Sequence, residues 1–233
     1  MALEPSNPQS LSGAPPVRAN LNERLKGKHI LVTAGPTHEP IDPVRVLANR
    51  SSGRQGFAIA AAAAAAGARV TLVAGPVALE TPAGVERIDV ETAEEMAGAV
   101  FTALPADVAI LVAAVADWRV QPAKTKLKKG AGPPHLTFVP TRDILAELGA
   151  SATRPRLLIG FAAETERVVA QAIGKREAKK ADWIVANDVS ENVMGGTHNR
   201  VHLITADGIE DWPQAAKEDV ARRLIERIAK EME

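Results

Sequence analysis

Apolar positions in this chain gather into short β-rich runs separated by longer stretches of helical spacing. The runs are HILVTA (29–34), RVTLVA (69–74), ERIDV (86–90), DVAILVAA (107–114), RLLIGFA (156–162) and DWIVAN (182–187). Between them the pattern predicts helices over 56–66, 93–104, 144–150, 167–180 and 214–232. The first is the clearest: eight of its eleven residues are Ala, the best helix former, and Gly67 follows as a stop. Thr92 with Glu95 three residues on reads as a capping box opening the second, and Trp212-Pro213 reads as the start of the last.

Strands alternating with helices indicate an α/β chain, a Rossmann-like three-layer sandwich around a mainly parallel sheet. Two segments break the alternation: 121–139, with HLTFV as a strand, and 192–209, with RVHLIT as another. They are expected to form a small antiparallel extension or flap. Residues 1–24 carry Pro, Ser, Asn and Gly without apolar periodicity and read as a flexible leader or interdomain linker, leaving 25–233 as the folded domain.

Composition narrows the chemistry. The 233 residues are enough to bury a core without disulfides or metal. Lys plus Arg is 28 and Asp plus Glu is 28, so binding to nucleic acid or a membrane surface through bulk charge is excluded and any basic site must be local. With no Cys, thiol nucleophiles and Cys-ligated metals are excluded; with no Tyr, so are reductases that set a Tyr hydroxyl beside a Lys. The longest apolar run, 57–66, is too short to span a bilayer, and no export signal opens the sequence, so a cytoplasmic protein is expected.

Open parallel sheets bind ligands beyond the carboxyl ends of their strands, and polar residues collect there. The first run leads through Gly35 and Arg45 to Asn49, Ser51, Ser52 and Gly53 just before the Ala-rich helix, where hydroxyls and free N–H groups can meet an anion. Taken alone, those residues are better explained by an ordinary Ser cap with glycines for close packing. The fourth run ends in Ala113, Ala114, Val115 and Asp117, a carboxylate able to orient a substrate or help hold Mg²⁺. Lys126 and Lys128 follow in a KLKK segment, Lys175 and Lys179 share a helix face, and Phe161 offers a flat partner for a base. Asn187 again puts a polar group at a strand end. The glycines after Asn49 do not match G-x-G-x-x-G, and Val73-Ala74-Gly75 offers no acid for a ribose, so a nicotinamide reductase is disfavoured. A non-catalytic nucleotide-binding scaffold stays open. The histidines show no metal-ligand spacing.

GPTHEPIDPVRVLANRSSGRQG, AAVADWRV followed by KLKK, GFAAET, the Lys175/Lys179 pair and DWIVANDVS, in this order, resemble the bacterial phosphopantothenate–cysteine ligase family over nearly all of the folded part. The resemblance implies an enzyme of coenzyme A biosynthesis that joins 4'-phosphopantothenate to L-cysteine, with CTP as co-substrate and Mg²⁺ or Mn²⁺ as cofactor, through an acyl cytidylate. It implies catalytic roles for Asn49 and Lys126. It further implies nucleotide contacts by Gly35, Ser51, Ser52, Gly53, Ala113, Ala114, Val115, Asp117, Lys126, Pro140, Thr141, Arg142, Asp143, Phe161, Lys175 and Lys179. Substrate contacts would fall to Asn49, Arg45, Asn187 and Lys128. Metal ligands are not identified beyond Asp117, since the nucleotide phosphates would hold the ion. A homodimer is implied, as is fusion to a flavin-dependent decarboxylase domain, although a free-standing protein reads equally well. The sequence departs from the family at Arg142, where Pro is usual, at 194–198, and at Trp118, where Tyr is common.

Overall fold

The computed structural model describes residues 23–130, 132, 134–164, 166–188 and 198–233. In chain order its elements are β1 (His29–Ala34), β2 (His38–Pro40), β3 (Val46–Ala48), α1 (Arg54–Ala65), β4 (Arg69–Ala74), β5 (Val85–Asp89), α2 (Ala93–Thr102) and β6 (Val108–Leu111). There follow β7 (Trp118–Val120), β8 (Phe138–Pro140), α3 (Ile144–Ala150), β9 (Leu157–Glu164), α4 (Val168–Lys179), β10 (Trp183–Asp188), β11 (His198–Ile204), β12 (Ile209–Ala216) and α5 (Lys217–Glu231). The first 22 residues of the expected leader, and positions 194–197 of the departure at 194–198, lie outside the described residues.

Eight strands form one sheet in the order β12-β11-β10-β9-β6-β1-β4-β5. The six from β10 to β5 run parallel, while β11 and β12 are antiparallel, so RVHLIT extends the main sheet. Side chains alternate between two cores, as the pleat requires. Ile30, Val32 and Ala34 of β1 pack with Ile59, Ala60 and Ala63 of α1 and Leu224, Ile225 and Ile228 of α5. Leu31 faces the other way, into Met96 and Val100 of α2, Leu145 and Leu148 of α3 and Ala172 of α4. This is the expected three-layer sandwich. Each fully buried Leu or Ile contributes roughly 1.5–3 kcal/mol.

The alanines of α1 let it lie close on the sheet. At Gly56 even a methyl is too much: a Cβ there would stand 2.5 Å from the Ala34 Cβ. The capping box of α2 is present, with Thr92 Oγ1 accepting from the Glu95 N–H and the Glu95 carboxylate accepting from the Thr92 N–H.

Three sequence expectations shift. The strand expected over 107–114 ends at Leu111: the Val112 N–H is shared between the Thr33 carbonyl (3.2 Å) and Thr33 Oγ1 (3.1 Å), and the Ala113 N–H goes to the same hydroxyl (3.2 Å). Trp212-Pro213 does not start a helix but lies inside β12. Trp212 is buried opposite Val201 with the Arg223 guanidinium 4.6 Å over its ring, and Pro213 is tolerated because β12 is the sheet edge. The polar loop after β1 contains the β2–β3 hairpin, too short for a periodicity to register, and β7 pairs with β8 in a second small hairpin. No helix among the described residues is long and apolar enough to cross a membrane.

Between β1 and its neighbours the winding reverses: α1 leads to β4 over one face, and α2 leads to β6 over the other. A crevice therefore opens beyond the carboxyl ends of β1 and β6.

Candidate functional site

That crevice is a cleft of about 950 Å³. Its floor is made by two strand-end loops laced together. The Ala114 N–H donates to the Gly35 carbonyl (2.9 Å), and the Ala116 N–H donates to Thr37 Oγ1 (3.0 Å). From the far side, Thr141 donates its N–H to the Asp117 carbonyl (3.0 Å) and its hydroxyl to the Ala116 carbonyl. Gly35 must be glycine here, with φ of 79° and with Gly75 O and Val77 Cγ1 each 3.1 Å from where a Cβ would sit.

Asn49 reaches the cleft from the segment after β3. Its Nδ2 donates to the Val115 carbonyl at 2.9 Å, leaving its other N–H and its Oδ1 for a ligand. Ser51, Ser52 and Gly53 then bring the chain to the N-terminus of α1 and also line the cleft. The helix begins at a left-handed Gly53 with no side-chain cap and no acidic residue in its first turn. Its first N–H groups and the positive end of its dipole are thus left for an anion.

The opposite wall is cationic. Lys175 and Lys179, one turn apart on α4, line it with Phe161 and with Pro140, Thr141, Arg142 and Asp143 of the segment before α3. Lys175 Nζ donates to the Phe161 carbonyl at 3.0 Å, and Lys179 is ion-paired with Asp143. Burial alone pushes the Asp143 carboxyl up, but the Lys179 ammonium, the Ala146 N–H it caps and the charge of Lys175 together hold it below its ordinary value. Arg142 is turned toward Glu147 and Glu94 and lies 5.5 Å over the Phe101 ring; those carboxylates, Glu147 first, raise its pKa. Asn187, at the end of β10, lines the cleft with Oδ1 buried and without a hydrogen-bond partner among the described residues. An unsatisfied buried acceptor costs about 1–3 kcal/mol, which a ligand donor would recover.

Three expected residues stand outside the lining: Arg45, Lys126 and Lys128. Arg45 is held by Asp42, whose buried carboxylate accepts from its Nη2 (2.5 Å) and Nε (3.0 Å) and from the N–H groups of Val44, Arg45 and Leu127. The Arg45 guanidinium beside Asp42 holds that carboxyl well below the usual carboxylate range, against the effect of burial. Arg45 also donates to the Leu127 carbonyl at 3.0 Å, so one ion pair clamps the KLKK segment while Lys126 and Lys128 remain exposed.

Lys217 lines the cleft without having been singled out in the sequence. It stands at the first position of α5, where Gln55 of α1 donates to its backbone carbonyl at 3.1 Å. Arg50 and Arg54 also line the cleft. Only the packing of α5 against α1 brings Lys217 here from so far along the chain, and no local spacing signals it.

Among the described residues no group of three His, Cys, Asp or Glu side chains is arranged to hold a metal. Asp117 is the exposed carboxylate at the cleft, and Asp143 is already engaged by Lys179. That donor set fits an ion carried mainly by a nucleotide's phosphates, with Asp117 as one ligand.

Comparison with known proteins identifies the family. Residues 25–232 match the model of the DNA/pantothenate metabolism flavoprotein C-terminal domain. The chain is 45% identical over 210 residues to the coenzyme A biosynthesis bifunctional protein CoaBC of Vibrio parahaemolyticus, covering 88% of this chain and 53% of that protein. It is 45% identical over 211 residues to the protein of the same name from Escherichia coli K12, covering 88% and 52%. It thus spans about half the length of these curated relatives. The crystal structure of the C-terminal domain of a coenzyme A biosynthesis bifunctional protein CoaBC superposes with a TM-score of 0.78 at 40% identity, covering 91% of this chain and 98% of that one. By sequence and by fold, the chain belongs to the DNA/pantothenate metabolism flavoprotein C-terminal domain family.

Proposed function

We propose that this chain ligates 4'-phosphopantothenate to L-cysteine in coenzyme A biosynthesis, with CTP as the activating nucleotide. The single observation behind the proposal is one cleft that gathers a carboxamide, an uncapped helix N-terminus and two lysines around the β1/β6 crevice. The names of the half-matching relatives support the pathway.

The chemistry needs what these residues offer. In the first step a carboxylate oxygen attacks the α-phosphorus of CTP, and the bond to the β-phosphate breaks to release pyrophosphate. Several negative charges meet, so Lys175, Lys179 and the N–H groups at the start of α1 offset them, and Mg²⁺ adds electrostatic stabilisation of the phosphates when bound. Phe161, half-buried beside Lys175, supplies a flat face for the base. In the second step the amine of cysteine attacks the acyl carbon, the anhydride bond to CMP breaks, and the amine loses a proton. Charge develops on the carbonyl oxygen, where the remaining N–H of Asn49 is worth roughly 3–4 kcal/mol as a donor in comparable sites. Lys126 and Lys128 are brought in as the KLKK segment closes over the ligand.

Homodimerisation, and a flavin-dependent decarboxylase domain in the remaining half of the full-length protein, belong to the same proposal. Val44, Val46, Trp118 and Phe138 are exposed large apolar side chains on the two small hairpins and support self-association. Pyrophosphate release is the test, measured with a panel of CTP, ATP, GTP and UTP. It is expected with CTP only when phosphopantothenate and Mg²⁺ are both present; no release under those conditions overturns the proposal.

A further inference from the structure

Lys217 is 7% exposed, yet it lies on the wall of a solvent-open cleft. Among the described residues no carboxylate stands within ion-pairing distance of it. Burial in the first place, and then the neighbouring Arg54, lower its pKa, while Glu218 works weakly the other way. Its stem is packed away while its ammonium reaches the open cleft with no carboxylate beside it, and a methionine of similar length would fill the same space without a charge to solvate. Fold stability therefore does not account for a lysine at this position.

The surroundings account for it. The Gln55 hydrogen bond to the Lys217 carbonyl pins the start of α5 against the first turn of α1, the helix whose leading N–H groups are uncapped. Arg54 belongs to that same turn and lines the same cleft. Two cations and a positive helix end on one wall, with no acidic side chain in the first turn of α1, are complementary to a dianionic group.

We infer that Lys217 is a phosphoryl-binding residue of the cleft, acting with the N-terminus of α1 and Arg54 on a phosphate group of the bound ligand. The inference deepens the proposed ligase reading, which supplies two sources for that group: the nucleotide's polyphosphate and the phosphate of phosphopantothenate. Calorimetric titration of pyrophosphate, CTP and 4'-phosphopantothenate, each separately, into the wild-type protein, Lys217→Met and Lys217→Arg tests it. Lys217→Met is expected to melt no lower than wild type and to bind at least tenfold more weakly either pyrophosphate and CTP or phosphopantothenate, the affected ligand naming the source. Lys217→Arg should recover most of the loss. Equal affinities of wild type and Lys217→Met for all three ligands overturn the inference. If methionine is not accommodated, Lys217→Gln is read by the same affinity criterion. Wild-type pyrophosphate binding that depends on Lys217 in a protein that never ligates would sink the ligase reading and leave this site standing.

Discussion

Asn49 and Val115, 66 residues apart, are joined by a 2.9 Å hydrogen bond from the Asn49 carboxamide to the Val115 carbonyl. The bond ties the segment before α1 to the loop after β6 and aims the unused half of the carboxamide into the cleft. The same amide thus has one N–H for positioning and one for chemistry.

For Asn49→Ala the expected outcome is accumulation of the acyl cytidylate, with amide formation slowed by roughly a hundred- to a thousandfold, the loss typical of one oxyanion donor. Asn49 is exposed, so the melting temperature should hardly move. Rapid quench with mass detection reads the intermediate directly; a variant that forms none would show that the carboxamide acts earlier.

Lys179 is ion-paired with Asp143 before any ligand arrives, and Lys175 is anchored to the Phe161 carbonyl. Lys179→Met should weaken nucleotide binding by about ten- to a hundredfold, the range of a charge-assisted hydrogen bond. It should leave α3 in place, because Asp143 still caps it through the Ala146 N–H. Fluorescence or calorimetric titration with CTP decides the point, and affinity unchanged within twofold would remove Lys179 from the site.

Lys126 stands on the exposed KLKK segment, outside the cleft lining. If that segment closes over the ligand, Lys126→Ala should slow nucleotide-dependent activation without lowering the melting temperature, and CTP should protect wild-type KLKK from trypsin. Pre-steady-state pyrophosphate release checks the first outcome and limited proteolysis the second; unchanged kinetics together with unprotected cleavage would leave the segment as a solvated loop.

Much of the sheet was legible because each parallel strand carries its own apolar run, and α2 because its capping box is local. Features that depend on distant partners were not. β6 ends where the Thr33 hydroxyl takes the Ala113 N–H, and the strand conformation of Trp212-Pro213 is set by pairing with Val201 at an edge. In the site, Asp117 and Asn187 were legible as polar groups at strand ends, and Asn49 only as part of the polar loop leading to α1, its role coming from the family resemblance. Lys217 was not, because its place is decided by how α5 packs on α1, and the clamp of Asp42 on the KLKK segment joins positions 85 apart.

Gly56 sets the distance between α1 and β1. Adding a methyl there would put it 2.5 Å from the Ala34 Cβ and 3.1 Å from the Thr33 carbonyl, so Gly56→Ala must push the helix outward. The expected cost is about 1–3 kcal/mol, as for other overpacked sites. Because the displaced turn carries the uncapped N–H groups, nucleotide affinity should fall together with stability. Denaturant midpoints and CTP titration are the paired measurements, and an affinity loss without a stability loss would place the strain elsewhere.

Asp42 gives a pH dependence whose sign can be worked out. Its carboxyl is depressed in the folded protein by Arg45 and by three backbone N–H groups, whereas in the unfolded chain it titrates near about 3.9. A depressed folded pKa means that the unfolded state binds the proton first, so the contribution of Asp42 is complete above about pH 5 and is lost as the pH falls through the folded value. Asp42→Asn removes the charge and replaces one acceptor oxygen with an NH2 group, which cannot accept from Arg45. Its melting temperature should therefore lie below wild type at pH 7, and the gap should narrow as both proteins are melted at steps down to pH 3. Trypsin should also cut the KLKK segment faster in the variant, since the same carboxylate holds the Leu127 N–H. A gap that stays constant over that pH range would mean that the Asp42–Arg45 pair contributes through its shape alone and that its charge is immaterial to the clamp.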